Sequence, residues 1–217
     1  MKLAALLLLI LLLSGFHSSH RLSTTAQAAP QSANTLRFRL DAAQSRFMVR
    51  AFSGGLLWFK GHDHYIAVRE FTGEAGLTLD AINPASLQFT VRADSLAETR
   101  DVFTEAQKQI INKEIRELVL ETAKYPEIIF KSAEVKGKPI SGGQFEVQIG
   151  GDLTLHGVTR HISIPATVTV SGRDLRARGE FYIKRSDYNI KATSALHGTI
   201  RVRDKLKFTF DIVAHQS

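Results

Sequence analysis

The sequence predicts a mainly β domain, either a sandwich or a closed barrel, with a single amphipathic helix. Apolar and polar residues alternate with a period of two over several long runs, and this period gives each strand one apolar face. The alternation is interrupted once, over Asp101–Lys124, where apolar residues recur at helical spacing. Many strands with one polar and one apolar face are typical of sandwiches and closed barrels.

The alternating runs extend from Leu36 to near the C-terminus, and turn residues separate them. Gly, Asn, Asp and Pro cluster at residues 54–55, 83–84, 137–139, 142–143 and 171–174. These clusters predict the ends of the strands.

Gly151–Arg160 predicts a β-hairpin, because it lies between two alternating runs. His156-Gly157-Val158-Thr159 is interpreted as the tight turn. Gly157 supplies a backbone that tolerates unusual dihedral angles.

One helix of about five turns or more is predicted within Asp101–Lys124, which contains no Gly or Pro, and Pro126 helps to end it. The apolar positions at helical spacing are Ile111, Ile115, Leu118 and Thr122, with charged residues opposite. Such a helix is expected to lie over the barrel or to cap an opening.

The N-terminus predicts an export signal. Lys2 precedes the apolar run Leu3–Leu13, which is shorter than the roughly 20 residues of a membrane span. Ala26-Gln27-Ala28 has the small-x-small pattern of a cleavage site. We therefore expect residues 1–28 to be a signal peptide, 29–35 a flexible leader and 36–217 one barrel domain in the periplasm, with no integral membrane span after cleavage.

Composition narrows the classes of partner. The chain has a net charge of +7 and contains no Cys, so no disulfide stabilises the exported domain. A basic charge can indicate nucleic acid or anionic lipid, but export argues against nucleic acid. The sequence does not determine the oligomeric state, and a homodimer is one of the alternatives.

Gly61-His62-Asp63-His64 is the only cluster with metal-ligating residue types. In an extended segment His62 and His64 face the same side and would chelate one ion, but a catalytic zinc takes three protein ligands. No third ligand is identifiable, since His156, His161 and His197 are distant in sequence. We expect no tightly bound metal, with His62 and His64 as weak candidates.

The motifs of common hydrolases are missing from the sequence. There is no Cys, and no Ser lies in a G-x-S-x-G setting. We therefore expect no catalytic residues, no enzymatic activity and no cofactor. A metal-dependent hydrolase that uses His62 and His64 is the alternative.

Arg185-Ser186-Asp187-Tyr188 breaks the strand alternation and predicts a turn, with Asp187 accepting local hydrogen bonds. Arg185 would pair with Asp187 or face an anionic head group. The run Leu56-Leu57-Trp58-Phe59, followed by Lys60, is either an apolar lip at a cavity mouth or a strand buried on both faces.

Aromatic and β-branched residues recur on the apolar strand faces. In a barrel of about eight strands these faces either fill the interior or enclose one ligand. The candidate lumen residues are Phe47, Val49, Phe89, Val91, Phe130, Phe145, Val147, Phe181, Ile183, Phe208 and Phe210.

Several separated segments resemble the YceI-like family. They are G-D-L-T-L-H-G-V-T-R (Gly151–Arg160), F-Y-I-K-R-S-D-Y (Phe181–Tyr188), L-D-A-A-Q-S-R-F (Leu40–Phe47), Y-P-E-I-I-F (Tyr125–Phe130) and the C-terminal run Gly198–Asp211. Leu40–Phe47 resembles the opening strand pair of the family. The chain departs from the family pattern at Gln44, where many members have His, and at Asn189, where Gly is common.

This resemblance implies an extended, antiparallel, lipocalin-like barrel with a helical excursion, an apolar lumen and an isoprenoid or other amphiphilic lipid as the ligand. It implies no catalytic residues. The expected function is to carry or sequester that lipid, with Trp58, Lys60 and Arg185 as candidate residues at the mouth. A filled barrel that acts as an interaction module is a further alternative.

Overall fold

The computed structural model describes residues 35–55, 61–78, 81–195 and 200–217. The predicted signal peptide, residues 29–34 of the predicted leader and the apolar run that contains Trp58, with Lys60, lie outside these ranges. Thr35, the last residue of the predicted leader, is the first residue of a strand and pairs with Thr78. No helix in the described residues is long and apolar enough to cross a membrane.

The described chain forms eleven strands, one α-helical segment and two single 3-10 turns at Ala93–Ser95 and Arg185–Tyr188. The strands are β1 (Thr35–Gly54), β2 (His64–Val68), β3 (Phe71–Thr78), β4 (Ala81–Arg92), β5 (Leu96–Glu98), β6 (Glu127–Ser141), β7 (Gln144–Leu155), β8 (Val158–Ser171), β9 (Asp174–Lys184), β10 (Ser194–Ala195) and β11 (Ile200–Gln216). The helix α1 (Glu105–Glu114) continues into a π-helical turn at Ile115–Val119.

Eight antiparallel strands close into a barrel in the order β1-β3-β4-β6-β7-β8-β9-β11, and β11 pairs with β1 to complete the ring. This closure confirms the predicted fold class. The C-terminal half of β1 also pairs with β2, and β2 pairs with β5. We call the end of the barrel that α1 covers the helix end, and the opposite end, where β6 turns into β7 and β8 into β9, the far end.

β1 is one strand with an irregularity, not the strand pair suggested by the family resemblance. Its register with β11 shifts between Asp41 and Arg46. Asp41 Oδ1 accepts hydrogen bonds from the amides of Ala43 and Gln44, and Ser45 Oγ accepts one from the amide of Val213 at 2.9 Å. The polar side chains thus satisfy backbone groups that the shifted ladder leaves unpaired.

The irregularity also explains how one strand keeps its apolar side chains inside. Phe38 and Leu40 are at even positions, whereas Phe47 and Val49 are at odd positions, and all four pack in the hydrophobic core. A regular strand of this length would turn one of the two pairs outwards.

The helical segment is shorter than the predicted five turns. Thr104 caps α1, since its hydroxyl accepts from the Gln107 amide and the Gln107 side chain accepts from the Thr104 amide. Residues 101–103 therefore precede the helix. Glu121 has a φ of +46°, and this left-handed residue ends the segment before Pro126.

The prediction that Leu118 belongs to the apolar face of the helix is wrong, because this side chain is 65% exposed. The π-helical turn, in which the Leu120 amide donates to the Ile115 carbonyl, contains one residue more than an α-helical turn. Val119 consequently faces the barrel together with Ile111 and Ile115.

Candidate functional site

The barrel encloses two apolar chambers that meet near its middle. The chamber at the far end has a volume of about 120 Å³, and the one at the helix end about 170 Å³. Three residues line both chambers, namely Phe47, Phe89 and Phe181. We call these three phenylalanines the waist, because they separate the two chambers.

Aromatic contacts hold the waist in place. Phe47 meets Phe89 edge to face, with ring centroids 6.2 Å apart. Phe89 stacks on Phe130 at 5.4 Å, and Phe181 stacks on Phe208 at 4.9 Å. Both arrangements are among those that aromatic pairs prefer. The rings that separate the chambers therefore belong to a packed cluster and are not isolated side chains.

Most of the predicted lumen residues line a chamber. Those at the far chamber are Phe47, Phe89, Phe145, Val147, Phe181 and Phe210, and those at the helix-end chamber are Phe47, Val49, Phe89, Val91, Phe181 and Phe208. Phe130 and Ile183 are buried in the same core behind these residues. The assignment of all eleven as ligand contacts stays a prediction.

Polar groups lie mainly at the helix end. The far chamber has an almost wholly apolar lining, with Thr78 and Ser86 as its hydroxyl residues. The helix-end chamber includes the charged or polar side chains of His64, Glu114, Arg185, Lys191 and Thr193. Among the described residues, an amphiphile inside the barrel would therefore find charged partners at the helix end.

Arg185 lies at the wall of the helix-end chamber. One of its terminal nitrogens donates to the Ile190 carbonyl at 2.7 Å, and its Nε lies 4.0 Å from Asp204. Within the described residues, that Nε is buried and has no hydrogen-bond partner. Arg185 thus retains donor capacity beside the apolar cavity.

The Arg185–Tyr188 turn is held by Asp204, not by the side chain of Asp187 as predicted. Asp204 accepts from the amide of Ser186 at 3.0 Å and from its hydroxyl at 2.8 Å. These bonds hold the pKa of Asp204 below its usual value. Asp187 is exposed and contributes its carbonyl, which accepts from Arg160 Nε.

The backbone conformation of Asn189 explains why this chain can carry Asn where Gly is common in the family. Asn189 has a φ of +56°, a conformation that glycine adopts freely and asparagine tolerates. Tyr188 is buried, and its hydroxyl has no hydrogen-bond partner among the described residues. Burial raises the pKa of this phenol to about 12.

The predicted turn at His156 is confirmed as a two-residue hairpin loop. His156 and Gly157 both have positive φ, at 51° and 73°. The His156 imidazole lies 2.7 Å from Glu121 Oε2 and 3.1 Å from the Tyr188 carbonyl oxygen. The turn therefore joins the end of the helical segment to the Arg185–Tyr188 turn.

The Gly61–His64 segment is held by ionic and hydrogen bonds. Asp63 Oδ2 accepts from Arg50 Nε at 2.9 Å and from Arg50 Nη2 at 2.6 Å, while its Oδ1 accepts from the Ser53 amide. His64 Nδ1 lies 2.8 Å from Glu98 Oε2. Asp63 and His64 thus fasten β2 to its neighbours.

Glu98 is buried, and sequence reasoning missed it. Its Oε1 accepts from the amides of Tyr65, Thr99 and Arg100. Burial alone would raise its pKa, but the bond from His64 and the amides of Arg100 and Tyr65 outweigh burial, and the pKa of Glu98 is lowered. A Glu within the short apolar strand β5 was the only sequence signal for this role.

His62 and His64 both contact the ring of Phe103. His64 stacks on it with centroids 5.3 Å apart, and His62 meets it edge to face at 5.8 Å. His156 bonds to Glu121 and His161 to Asp152, away from this pair, and His197 lies outside the described residues. No group of three or more metal-ligating His, Cys, Asp or Glu occurs in the part of the chain that the structure describes.

A cleft of about 350 Å³ adjoins the helix-end chamber and shares part of its lining. Its lining combines residues of α1, such as Ile110, with residues of the rim of β1, β2 and β11. The residues that line both the cleft and the chamber are His64, Ile111, Glu114, Thr193 and Val202. We call this cleft the entrance.

A closed antiparallel barrel with apolar chambers defines the class of lipocalin-like barrels. The model of the YceI-like domain matches residues 38–214, and the chain belongs to the YceI-like family.

Relatives with known sequences match part of the chain. A UPF0312 protein of Pseudomonas savastanoi pv. phaseolicola is 34% identical over 132 residues, which cover 57% of this chain and 62% of that protein. Protein YceI of Escherichia coli O6:H1 is 33% identical over 135 residues, covering 58% and 63%. The chain therefore spans less than two thirds of the length of these relatives.

Solved structures show the same fold. BcnA of Burkholderia cenocepacia superposes with a TM-score of 0.61 at 19% identity, covering 80% of this chain and 98% of BcnA. A polyisoprenoid binding domain from Saccharophagus degradans, implicated in plant cell wall breakdown, superposes with a TM-score of 0.60 at 17% identity, covering 84% and 99%.

Proposed function

We propose that this protein is a periplasmic carrier or sequestering protein that encloses the apolar tail of an amphiphile, most specifically a polyisoprenoid. The observation that carries the proposal is the pair of apolar chambers in line along the barrel axis, in which the charged groups among the described lining residues lie at the helix end. The structural likeness to a polyisoprenoid binding domain supports the choice of ligand. The apolar run at the N-terminus supports export.

Burial of the tail supplies the binding energy. Each buried CH₂ group contributes about 0.8 kcal/mol before the costs of ordering the ligand are subtracted. A long hydrocarbon tail therefore needs no elaborate polar site. The protein binds and protects its ligand in this proposal and does not transform it.

The waist determines how a long tail fits. An apolar cavity of about 150 Å³ takes a molecule the size of benzene. At about 120 and 170 Å³, each chamber accommodates a segment of similar size. A longer tail must pass between Phe47, Phe89 and Phe181, so binding of a polyisoprenoid requires these rings to move apart.

The head group would stay at the helix end. Arg185 and Lys191 line that chamber and bring positive charge to it. Guanidinium groups bind phosphate and carboxylate well. Trp58 and Lys60 remain candidates for the mouth.

Native mass spectrometry of protein purified from the periplasmic fraction tests the proposal. We expect the protein to carry a bound amphiphile, which collisional activation in the mass spectrometer releases and identifies as a lipid. Ala177→Phe would fill part of the far chamber, which Ala177 lines. This variant should lose long-tailed ligands and retain short ones.

Ala43→Phe is the matched control, because Ala43 is exposed on the irregularity of β1. It should retain the ligand of the unmodified protein. Unchanged retention of a long-tailed lipid by Ala177→Phe, or an empty barrel in freshly isolated protein, would count against a lumen site.

A further inference from the structure

The entrance opens beside an outward-facing pocket that is rich in arginine. This pocket has a volume of about 370 Å³, and it shares Ser53 and His62 with the entrance. Three of its lining residues are Arg50, Arg100 and Arg203. We call it the arginine pocket.

Structural bonds hold the three guanidinium groups in position and leave part of their donor capacity unused. Arg100 donates to the Asp63 carbonyl at 2.8 Å, and Arg203 Nε donates to the Ser53 carbonyl at 2.8 Å. Arg50 binds Asp63, the one carboxylate among the described residues that line the pocket. The positive charges of the pocket therefore exceed its negative charge.

The basic surface continues along the outer face of β9 and β11. Lys205 pairs with Lys184 in the sheet register. The Lys205 ammonium lies 3.9 Å from the ring centroid of Tyr182, which is 44% exposed. Neither lysine forms a salt bridge with another of the residues at 35–55, 61–78, 81–195 or 200–217.

Two acidic groups beside this basic surface already have partners. Glu180 is paired with Lys207 at 2.6 Å, and Asp204 accepts the bonds of Ser186. On the opposite lip of the entrance α1 contributes the apolar Ile110, which is 61% exposed, beside the polar Gln107 and Glu114. Basic, aromatic and apolar side chains thus surround one opening.

We propose that this surface docks the entrance onto an anionic membrane. Basic residues near a bilayer are attracted to anionic lipid head groups, Tyr prefers the interface, and an exposed Ile inserts among the acyl chains. All three features occur together where the helix-end chamber opens. Docking there would let a lipid pass between bilayer and barrel without crossing water.

Vesicle co-sedimentation of the full chain tests this inference, which goes beyond the proposed function. The vesicles contain either phosphatidylcholine alone or phosphatidylcholine with phosphatidylglycerol. We expect binding to the anionic vesicles, weakening as salt is added, with at least a tenfold smaller bound fraction on neutral vesicles.

The Arg203→Glu/Lys205→Glu variant should lose binding to anionic vesicles by tenfold or more. Its control is Arg39→Glu/Arg173→Glu, which makes the same change in net charge at exposed positions of the far end.

Ile110→Ser should weaken binding several-fold at every salt concentration. Circular dichroism verifies that each variant is folded.

Equal loss of binding in both charge variants would overturn the inference, because it would show attraction by net charge alone. Binding of Arg203→Glu/Lys205→Glu at the level of the unmodified protein would also overturn it. Native mass spectrometry of the same variants keeps the two proposals separate. A charge variant that keeps its lipid but no longer binds vesicles would support docking as a step separate from lipid binding in the lumen. An empty barrel in every variant would instead contradict the proposed function.

Discussion

The imidazole of His64 lies 2.8 Å from a carboxylate oxygen of Glu98, whose side chain is fully buried. This contact joins β2 to β5, two short strands that lie outside the closed ring. Asn112 of α1 accepts from the Glu98 amide at 2.7 Å, so the same residue also anchors the helix that covers the barrel. The histidine that sequence analysis considered as a metal ligand thus has a structural partner.

Glu98→Gln should destabilise the protein by about 2–3 kcal/mol, because a buried carboxylate with charge-assisted bonds would be replaced by a neutral amide. Urea denaturation followed by tryptophan fluorescence or circular dichroism measures the free energy of unfolding. Glu70→Gln is the control, since Glu70 forms an exposed ion pair with Arg92 and should contribute less than about 1 kcal/mol. Equal effects of the two substitutions would contradict the structural role of Glu98.

Stability should fall in acid as Glu98 takes up a proton. Its pKa in the folded protein is below the ordinary value of 4.5, so its contribution is present above pH 4.5 and is lost as the pH falls through the lower folded value. The unfolding free energy of Glu98→Gln should therefore decline less steeply below that pH than that of the unmodified protein. The two slopes should differ by up to about 1.4 kcal/mol per pH unit. Parallel acid profiles for the two proteins would contradict this assignment.

Phe181→Trp should place an indole in the waist. We expect blue-shifted emission and protection from acrylamide, since Phe181 is buried and lines both chambers. Tyr182→Trp is the matched control, because the adjacent side chain points outwards and is 44% exposed. Both variants retain Trp58, so the spectrum of the unmodified protein is subtracted. A solvated spectrum for Phe181→Trp would argue against its place in the lumen.

Gly157→Ala should destabilise the protein by at least about 1 kcal/mol more than Gly172→Ala. Both glycines have positive φ, at 73° and 58°, so both substitutions strain the backbone. A Cβ at Gly157 would also lie 2.5 Å from the Tyr125 ring, whereas one at Gly172 would meet nothing within 4 Å. Thermal unfolding of the two variants measures the difference, and equal shifts would show that Tyr125 moves away without cost.

Local sequence was sufficient for the class of fold, the hairpin turn and the presence of one helix. Period-two alternation specifies which side chains share a strand face, and His156-Gly157 supplies the two positive φ angles of a short hairpin loop. The helix was located correctly but not its length or its inward face, because the Thr104 cap and the π-helical turn changed both. These details depend on individual hydrogen bonds and not on periodicity.

The site itself was decided by tertiary structure. The waist brings together Phe47, Phe89 and Phe181 from three strands, and no local pattern specifies that they meet. The pairing of His64 with Glu98 likewise joins residues 34 positions apart. Sequence determined which side chains face inwards, since strand parity is a local property of the backbone. Closure of β11 onto β1 decided which of them touch, because the register of the ring sets every distance across the lumen.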